Sequence, residues 1–336
     1  MTEPRVLIVG PAWVGDMVMA HALVQTVARK QPGASIDIVA PAWSEPLIER
    51  MPGVRRAIPL PLGHGQFGWS VRKQLGRALR VERYSQAIII PRSFKAALVP
   101  FFAGIPMRTG YKGEGRYGLL NDIRPLDKSV LDGTAKRYVA LGHDRTAVQP
   151  QPVPTPVLTA YQDSNVLDRL GLARAKTVAL MPGAEYGPAK QWPVVHFRAL
   201  AERLAANDFQ VIVVGSSKEQ ALGERIVSGL PKTVHNVCGQ TSLVEAIDLL
   251  SSADVAVSND SGLMHVAAAV GCSVVGLYGS SSPVFTPPLT ENKQIVSQNL
   301  SCSPCFKRVC PLGHTRCLND MTPDEVFTAV STLRTH

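Results

Sequence analysis

Three short, glycine-containing loops carry the residue types that could do chemistry in this sequence. The first, residues 10–16 (GPAWVGD), follows a β-branched run and precedes a helical pattern. Its spacing matches neither common phosphate motif, because Asp16 stands where a Walker A loop has lysine and no Gly-x-Gly-x-x-Gly turn is present. The Asp16 carboxylate could serve as a general base on a substrate hydroxyl. The plainer alternative is that Asp16 caps the helix, a role that aspartate favours.

A second loop, residues 182–193 (PGAEYGPAKQWP), follows an apolar run and precedes a helix that should begin near Pro193. Its glycines and prolines predict a shaped, semi-rigid backbone. Lys190, near the end of the loop, could meet a phosphate as a point charge. The alternative is a solvated surface lysine, which is the usual state of this residue type.

The third loop, residues 258–265 (SNDSGLMH), joins a buried strand to a helix predicted over residues 266–270. Asp260 or Ser261 would cap that helix, and Gly262 would let a ligand approach the backbone closely. Exposed N–H groups at a helix N-terminus bind phosphate well, although a capped helix without a ligand has the same pattern. His265 alone is more typical of a satisfied interior histidine than of a catalyst.

The elements that must position these loops are strands alternating with helices in two successive halves. Strands are predicted at residues 5–9, 35–40, 56–60, 87–90, 177–181, 210–214, 255–258 and 273–278. Such alternation indicates parallel sheets joined by right-handed crossovers. Between the halves, residues 146–155 (TAVQPQPVPT) contain three prolines, which exclude a helix or a central strand and indicate a linker.

We therefore predict an α/β protein of two Rossmann-like, doubly wound domains that face a central cleft. The predicted bounds are 1–150 for the N-terminal domain and 151–322 for the C-terminal domain, with a final helix at 323–336 that could return to the N-terminal domain. The length of 336 residues suits two domains of this size. Ligands of open α/β sheets bind at the carboxyl ends of the strands, where all three loops are expected.

Composition and charge limit the class of protein further. Hydrophobic residues make up 45% and charged residues 18%, which indicates a globular chain and not a disordered one. No apolar run reaches the roughly 18 residues of a membrane span, and no signal-peptide pattern is seen, so a cytoplasmic location is expected. The net charge of +9 favours polyanionic partners. Because zinc-finger spacing and aromatic–basic RNA motifs are missing, we expect an acidic or membrane-attached substrate and no nucleic acid.

Four of the six cysteines are crowded near the C-terminus, in the pattern Cys-x2-Cys-x4-Cys-x6-Cys. In a cytosolic chain this density suggests a metal before a disulfide, and four thiolates could hold Zn²⁺ or an iron–sulfur cluster. The spacing lacks the paired Cys-x-x-Cys of a zinc ribbon, so reduced or reversibly oxidised thiols are the favoured alternative to structural zinc. Its distance along the chain from the three loops argues against a catalytic role. The cluster consists of Cys302, Cys305, Cys310 and Cys317, whereas Cys238 and Cys272 are expected to be packed thiols.

Longer motifs carry a specific resemblance to a known family. The match runs in order from about Arg5 to Leu289 and includes seven motifs: GPAWVGDMVMAHAL, PAWSEPLIERMPGV, IPLPLGHG, RSFKAALVPFFAGIPMRTGYKGEGRYGLLND, MPGAEYGPAKQWP, NDSGLMHVAAAVG and LYGSSSPVFTPPL. With them the chain resembles the ADP-heptose–lipopolysaccharide heptosyltransferase II group of glycosyltransferase family 9. The resemblance implies a GT-B architecture and an inverting transfer without an essential metal.

The resemblance also implies substrates and residue roles. The donor would be ADP-L-glycero-β-D-manno-heptose, and the acceptor the first heptose on Kdo-linked lipid A, reached by transient peripheral contact with the cytoplasmic face of the inner membrane. Asp16 would deprotonate the acceptor hydroxyl, and Lys190 would neutralise the departing ADP. The remaining donor contacts implied are Asp260 to heptose hydroxyls, the Ser261 and Gly262 N–H groups and His265 near the diphosphate, and Glu219 near the nucleoside.

An acceptor that carries carboxylates and phosphates would give the positive charge a purpose. The candidate acceptor-binding residues are His64, Arg72, Lys73, Arg92, Lys95, Arg108, Lys112 and Arg116, each equally consistent with a solvated surface role. Arg92 and Lys95 flank the apolar stretch 96–105. We expect a buried core helix there in preference to a segment that lies on the membrane.

Three alternatives remain at this point. The first is heptosyltransferase I or another GT-B transferase with a different acceptor, against which the long N-terminal motifs argue. The second is a nucleotide-dependent Rossmann oxidoreductase, which would need a Gly-x-Gly-x-x-Gly turn followed by an acidic residue. The third is a polyanion-binding protein without catalysis.

Overall fold

The computed structural model describes residues 3–63, 65–161 and 165–333. These residues form two compact units, one up to Val157 and the other from Leu158. The division falls just after the proline-rich segment 146–155, which contains no helix or strand. Each unit therefore has its own sheet and its own core, and the chain passes from one to the other once.

The first unit is built on a parallel sheet with strand order β3-β2-β1-β4-β5-β6. Its strands are β1 (Arg5–Val9), β2 (Ser35–Pro41), β3 (Val54–Leu60), β4 (Gln86–Ile89), β5 (Met107–Tyr111) and β6 (Asp122–Arg124). Its helices are α1 (Val14–Lys30), α2 (Glu45–Ile48), α3 (Trp69–Ala78), α4 (Leu98–Phe102) and α5 (Thr134–Gly142). Short 3-10 turns occur at Ala42–Ser44, Leu79–Glu82 and Phe94–Ala97.

The second unit repeats this plan, with strand order β9-β8-β7-β10-β11-β12. Its strands are β7 (Thr177–Met181), β8 (Gln210–Val213), β9 (Val234–Asn236), β10 (Val255–Asn259), β11 (Ser273–Tyr278) and β12 (Lys293–Ser297). Its helices are α6 (Val166–Arg169), α7 (Val194–Ala205), α8 (Gln220–Val227), α9 (Leu243–Ser251), α10 (Gly262–Ala269), α11 (Arg316–Asn319) and α12 (Pro323–Leu333). Further 3-10 turns occur at Pro188–Lys190 and Ser217–Glu219.

Numbered from its own first strand, each sheet has the order 3-2-1-4-5-6 of Rossmann-like domains. The strand order reverses between β1 and β4 in the first unit and between β7 and β10 in the second. The predicted α/β fold of two Rossmann-like domains is confirmed. Loops that follow these four strands lie where open α/β sheets bind ligands.

The central strands of both sheets are buried runs of apolar residues, as the sequence predicted. Helices cover both faces of a parallel sheet, so its inner strands are continuous runs of apolar residues and not alternating ones. Every residue of β7 and of β10 is buried, as are the last four residues of β1. The strands that the sequence analysis missed, β5, β6, β9 and β12, are short or half-exposed.

The last helix packs into the core of the second unit. The sequence had left a return of this helix to the N-terminal domain open. Val326 and Val330 of α12 are fully buried in one cluster with Trp192 and Phe197. The Trp192 indole N–H also donates to the Met321 carbonyl at 3.0 Å, which fixes the start of α12 to the loop that precedes α7.

Most of the apolar stretch 96–105 is core, as expected, but Phe101 and Phe102 at the end of α4 are not buried. Ala97, Leu98 and Ile105 are 2% exposed or less, although Phe101 remains 41% exposed. None of the helices in the described part of the chain is both long enough and apolar enough to cross a bilayer.

Candidate active site

The predicted donor loops converge in the second unit, at one edge of its sheet. Strands β10, β7 and β8 are neighbours, and the loops that follow them carry Asp260, Lys190 and Glu219. All strands of this sheet run parallel, so their carboxyl ends meet at the same edge. The reversal of strand order between β7 and β10 places Lys190 and Asp260 on either side of it.

Asn259, the last residue of β10, ties the loop after β7 to this edge. Its side chain is fully buried and accepts a hydrogen bond from the Trp192 backbone N–H at 3.0 Å. Its amide nitrogen donates to the Pro182 carbonyl at 2.8 Å. Because both ends of the loop are held by one side chain, the intervening turn has a defined position.

Lys190 and Asp260 form an ion pair at this position. The Lys190 Nζ lies 2.5 Å from Asp260 Oδ2, and the two side chains are only 17% and 5% exposed. The Thr286 hydroxyl lies 3.2 Å from the other oxygen of the same carboxylate. A cation and a carboxylate shielded from water interact more strongly than an exposed pair, and this pair is largely shielded from solvent.

Helix α10 begins directly behind this ion pair. It starts at Gly262, four residues earlier than predicted, so His265 lies inside the helix. Ser261 occupies the N-cap position, but its side chain makes no capping bond; its hydroxyl lies 3.2 Å from that of Ser258. A capped helix was the alternative to ligand binding, yet neither candidate side chain caps this one. The first-turn amides can therefore bind an anion.

His265 is a neutral side chain close to these charges. It is 4% exposed, and burial lowers the pKa of His265 to about 4, with opposing contributions from Asp260 and Lys190. Its Nδ1 has no hydrogen-bond partner among the described residues. Near pH 7 the ring can donate or accept a hydrogen bond but carries no charge.

Glu219 lies at the same edge, and one of its carboxylate oxygens accepts two hydrogen bonds from Ser216. Its Oε2 accepts bonds from the Ser216 N–H and hydroxyl, at 2.8 and 2.5 Å, in a capping box at the start of a 3-10 turn. A Cβ atom on Gly183 would lie 3.3 Å from the Glu219 carboxyl carbon, so glycine allows this close approach. Glu219 therefore belongs to the neighbourhood of the donor loops, next to the loop of Lys190.

Asp16 lies in the first turn of α1 in the other unit. The helix begins at Val14 and its N-cap is Trp13, so Asp16 is not an N-cap and that alternative is wrong. Asp16 is half-buried and close to Tyr138 of α5: burial, followed by the charge of Asp16, raises the pKa of Tyr138. A carboxylate at this position interacts favourably with the positive end of the helix dipole.

The candidate acceptor residues of the first unit differ in burial and in hydrogen bonding. The Arg108 and Arg116 side chains bind backbone carbonyls. Arg108 donates to the Ile105 and Leu119 carbonyls at 2.6 Å, and Arg116 donates to the Pro91 carbonyl at 2.7 Å. Burial lowers the pKa of both, to about 10 for Arg116, which is 2% exposed. Arg72 is also buried, Lys73 and Lys95 are half-buried, and Arg92 and Lys112 are exposed. His64 lies outside the described residues.

The cysteine-rich segment 302–317 packs directly against the loop that carries Lys190, although the two are far apart in sequence. The Arg308 carbonyl accepts the Ala189 N–H at 3.1 Å, and the Arg308 side chain donates to the Tyr186 carbonyl at 2.7 Å. The Tyr186 hydroxyl donates to the Phe306 carbonyl at 2.9 Å. The centre of the Tyr186 ring lies close to two cations, 5.1 Å from Lys190 Nζ and 5.5 Å from the Arg308 guanidinium carbon.

The four clustered cysteines line one cavity of about 20 Å³, which Ala189 also borders. Hydrogen bonds from backbone amides, the Thr315 amide first, lower the pKa of Cys310. Burial and then the neighbouring sulfurs raise the pKa of Cys317. In the parts of the chain that the structure describes, no three His, Cys, Asp or Glu side chains are arranged to hold a metal ion.

Several residues of the site were not predicted from the sequence. Asn259 and Thr286 contact the donor loops directly, as described above. Ser280 and Ser281, after β11, are buried with hydroxyls that lack a partner among the described residues. The sequence signal for these serines is the polar run that directly follows a buried strand. Residues in that position lie at the same sheet edge as the loops after β7 and β10.

Comparison with known proteins places this site in a family. Residues 72–316 match the model for glycosyltransferase family 9 (heptosyltransferase). The chain is 43% identical to lipopolysaccharide heptosyltransferase 2 of Escherichia coli K12, over 98% of each chain. It is also 43% identical to lipooligosaccharide heptosyltransferase 2 of Haemophilus influenzae, over 87% of this chain and 88% of the relative. The solved structure of E. coli ADP-heptose LPS heptosyltransferase II superposes with a TM-score of 0.86 at 40% identity, covering 98% of both chains.

The fold and the comparisons together define a glycosyltransferase with a two-domain α/β fold of the GT-B type. The family match therefore argues against the alternative that the two Rossmann-like sheets belong to a nucleotide-dependent oxidoreductase. The chain belongs to glycosyltransferase family 9, the heptosyltransferases.

Proposed function

We propose that the chain is an inverting transferase that moves L-glycero-D-manno-heptose from ADP-heptose to the first heptose of heptosyl-Kdo2-lipid A. The observation that carries the proposal is the shielded Lys190–Asp260 pair in front of the α10 N-terminus. Relatives with 43% identity over nearly the whole chain, named for the second heptosyl transfer, support the choice of substrates.

In the proposed donor complex the second unit binds ADP-heptose. The Lys190 ammonium and the first-turn amides of α10 face the diphosphate, whose negative charge grows as the sugar–oxygen bond breaks. Positive groups fixed in a dry site stabilise such charge strongly. Asp260 accepts hydrogen bonds from heptose hydroxyls, neutral His265 lies beside the diphosphate, and Glu219 contacts the nucleoside.

In the proposed reaction the first unit supplies the base. Asp16 takes the proton of the acceptor hydroxyl, whose oxygen attacks the anomeric carbon of the donor heptose. A new carbon–oxygen bond forms as the bond from that carbon to the diphosphate oxygen breaks, and ADP leaves. A single in-line displacement of this kind inverts the anomeric configuration.

No metal is assigned to the proposed reaction. The role that a divalent cation would have at the leaving diphosphate is given to Lys190 and to the helix N-terminus. The four cysteines are proposed to serve the fold, as thiols or around a structural zinc ion. The enzyme is proposed to act in the cytoplasm, in transient contact with the inner membrane that holds its acceptor.

The purified chain is expected to convert ADP-heptose and heptosyl-Kdo2-lipid A to ADP and a diheptosyl product, and EDTA is expected to leave the rate unchanged. Mass spectrometry of the lipid product and ADP release measure the two sides of the reaction. Kdo2-lipid A without heptose separates the second transfer from the first. No turnover with the heptosylated acceptor, or a preference for the unheptosylated one, contradicts the assignment.

Arg308→Ala is expected to raise the KM for ADP-heptose on the order of tenfold with a smaller change in kcat. The substitution removes a hydrogen bond and a cation–π contact to Tyr186, together about 1.5 kcal/mol, and so loosens the loop of Lys190. Lys307→Ala is the matched control, because its side chain is exposed and carries the same charge. Equal steady-state constants for both variants would show that the Arg308 side chain does not position the loop.

A further inference from the structure

Five aromatic side chains form one continuous cluster on the surface of the first unit. Phe67, Trp69 and Phe101 are 48%, 47% and 41% exposed, and Phe94 and Phe102 are half-buried. The rings follow one another as neighbours, with centroid distances of 6.5 Å (Phe94–Phe67), 6.1 Å (Phe67–Trp69), 5.3 Å (Trp69–Phe102) and 5.5 Å (Phe102–Phe101). We call these five residues the aromatic surface. Exposed apolar residues scattered singly are common, but a contiguous apolar patch usually marks an interaction site.

The backbone is shaped to hold this arrangement. Phe67 and Trp69 flank Gly68, which has a φ of +58°. The left-handed conformation favours glycine, and a Cβ atom at this position would also require the Leu62 side chain to move. The turn brings the two rings into a stack only 6° from parallel, with both partly open to solvent.

Basic side chains surround the aromatic surface. Lys95 donates to the Gln66 carbonyl at 3.2 Å, Arg80 donates to the Phe102 carbonyl at 2.9 Å, and the Arg108 guanidinium lies 5.8 Å from the centre of the Phe101 ring. Between residues 61 and 108 the sequence has eight Lys and Arg residues and one acidic residue, Glu82.

Two carboxylates must be weighed against this positive charge. Glu82 is bound by Arg5, Arg55 and Arg56, which neutralise it. Glu114 accepts the Phe94 N–H at 2.7 Å, and its charge is opposed by the neighbouring Arg116. The field over the aromatic surface is therefore positive.

We propose that the aromatic surface docks on an anionic lipid leaflet. Aromatic rings concentrate at the boundary between acyl chains and head groups, and nearby Lys and Arg residues add electrostatic attraction to acidic lipids. A patch covered by a second copy of the chain would not need the surrounding excess of one charge, which would repel its own copy. The inference rests on the proposed function, since it explains how the enzyme reaches an acceptor held in a bilayer.

The test is co-sedimentation of the full-length protein with vesicles that contain no acceptor. Wild type is expected to bind vesicles of phosphatidylglycerol and phosphatidylethanolamine, and to bind pure phosphatidylcholine at least tenfold more weakly. Trp69→Ser should lower binding to the anionic vesicles about tenfold or more, and Phe101→Ser should act in the same direction. Trp43→Ser is the matched control, because Trp43 is 42% exposed but is not part of the aromatic surface. Its binding should equal that of wild type.

The outcomes separate this inference from the proposed function. Transfer to a deacylated, water-soluble acceptor tests the enzyme alone, and Trp69→Ser should retain it together with the melting temperature of wild type. If wild type fails to bind anionic vesicles, or if Trp69→Ser and Trp43→Ser bind equally well, docking through this surface is overturned even though transfer persists. A self-association that Trp69→Ser abolishes, without vesicle binding, would likewise overturn it in favour of a second copy.

Discussion

Asp16→Asn is expected to leave ADP-heptose binding intact and to lower kcat by about a hundredfold or more, the usual loss when a general base is removed. The amide has the shape of the carboxylate but cannot take the acceptor proton. Asp16 lies in the first turn of α1, and replacing its charge should cost about 0.3–1 kcal/mol through the helix dipole. The fold should therefore survive, so calorimetric donor affinity and single-turnover rates can be read separately.

The control for Asp16→Asn is Glu45→Gln. Glu45 is likewise an acidic residue in the first turn of a helix of the same unit, and it too is half-buried. Its variant should retain the wild-type rate. If Asp16→Asn keeps more than a tenth of the wild-type kcat, the acceptor proton goes elsewhere and the base must be reassigned.

Lys190→Met is expected to lower kcat by about 10²–10³, comparable with the loss of one transition-state donor elsewhere, and to weaken donor binding. It should also destabilise the fold, because Asp260 is left nearly buried without its cation, with the Thr286 hydroxyl as its remaining hydrogen-bond partner among the described residues. Removing one member of such a pair costs about 3 kcal/mol. Low activity of this variant alone would therefore be ambiguous.

The double variant Lys190→Met/Asp260→Asn resolves the ambiguity when it is compared with Asp260→Asn alone, because Asp260 is itself a proposed donor contact. Without the carboxylate no charge is stranded, so thermal unfolding should return towards that of wild type while turnover stays low. Lys190→Arg keeps the charge and should keep part of the activity. Should the double variant regain both stability and turnover, Lys190 would be a structural cation and not one that acts on the leaving diphosphate.

The sequence predicted the centre of each sheet well and its margins poorly. Strands such as β1, β7 and β10 lie under helices on both faces, so they are unbroken apolar runs with a clear pattern. β6 and β12 lie at sheet edges, and every residue of both is only partly buried. Their residues need not be apolar, so no periodicity marks them. β5 contains polar residues and a glycine, so it too lacks the continuous apolar run by which a strand is recognised.

The same contrast holds for the donor site. Lys190, Asp260 and Gly262 stood in recognisable loops after buried strands, and the structure brings them together. Thr286 contacts Asp260 although the two are 26 residues apart in the sequence. Arg308 contacts Tyr186, in the loop of Lys190, from 122 residues away. Such contacts depend on tertiary packing and leave no local pattern. Ser261 was a predicted cap and is the N-cap, but the helix itself was expected to begin four residues later because Gly262 is a poor helix former.

The single passage of the chain between its two units has a consequence for how such an enzyme can be altered. Each unit has a complete sheet and core, and the division at Val157–Leu158 follows a stretch without helix or strand. Recombination at that one junction exchanges a whole unit without cutting either sheet. A chimaera joined at Val157–Leu158 would therefore keep both sheets whole, and its product with each acceptor would show which unit selects that acceptor.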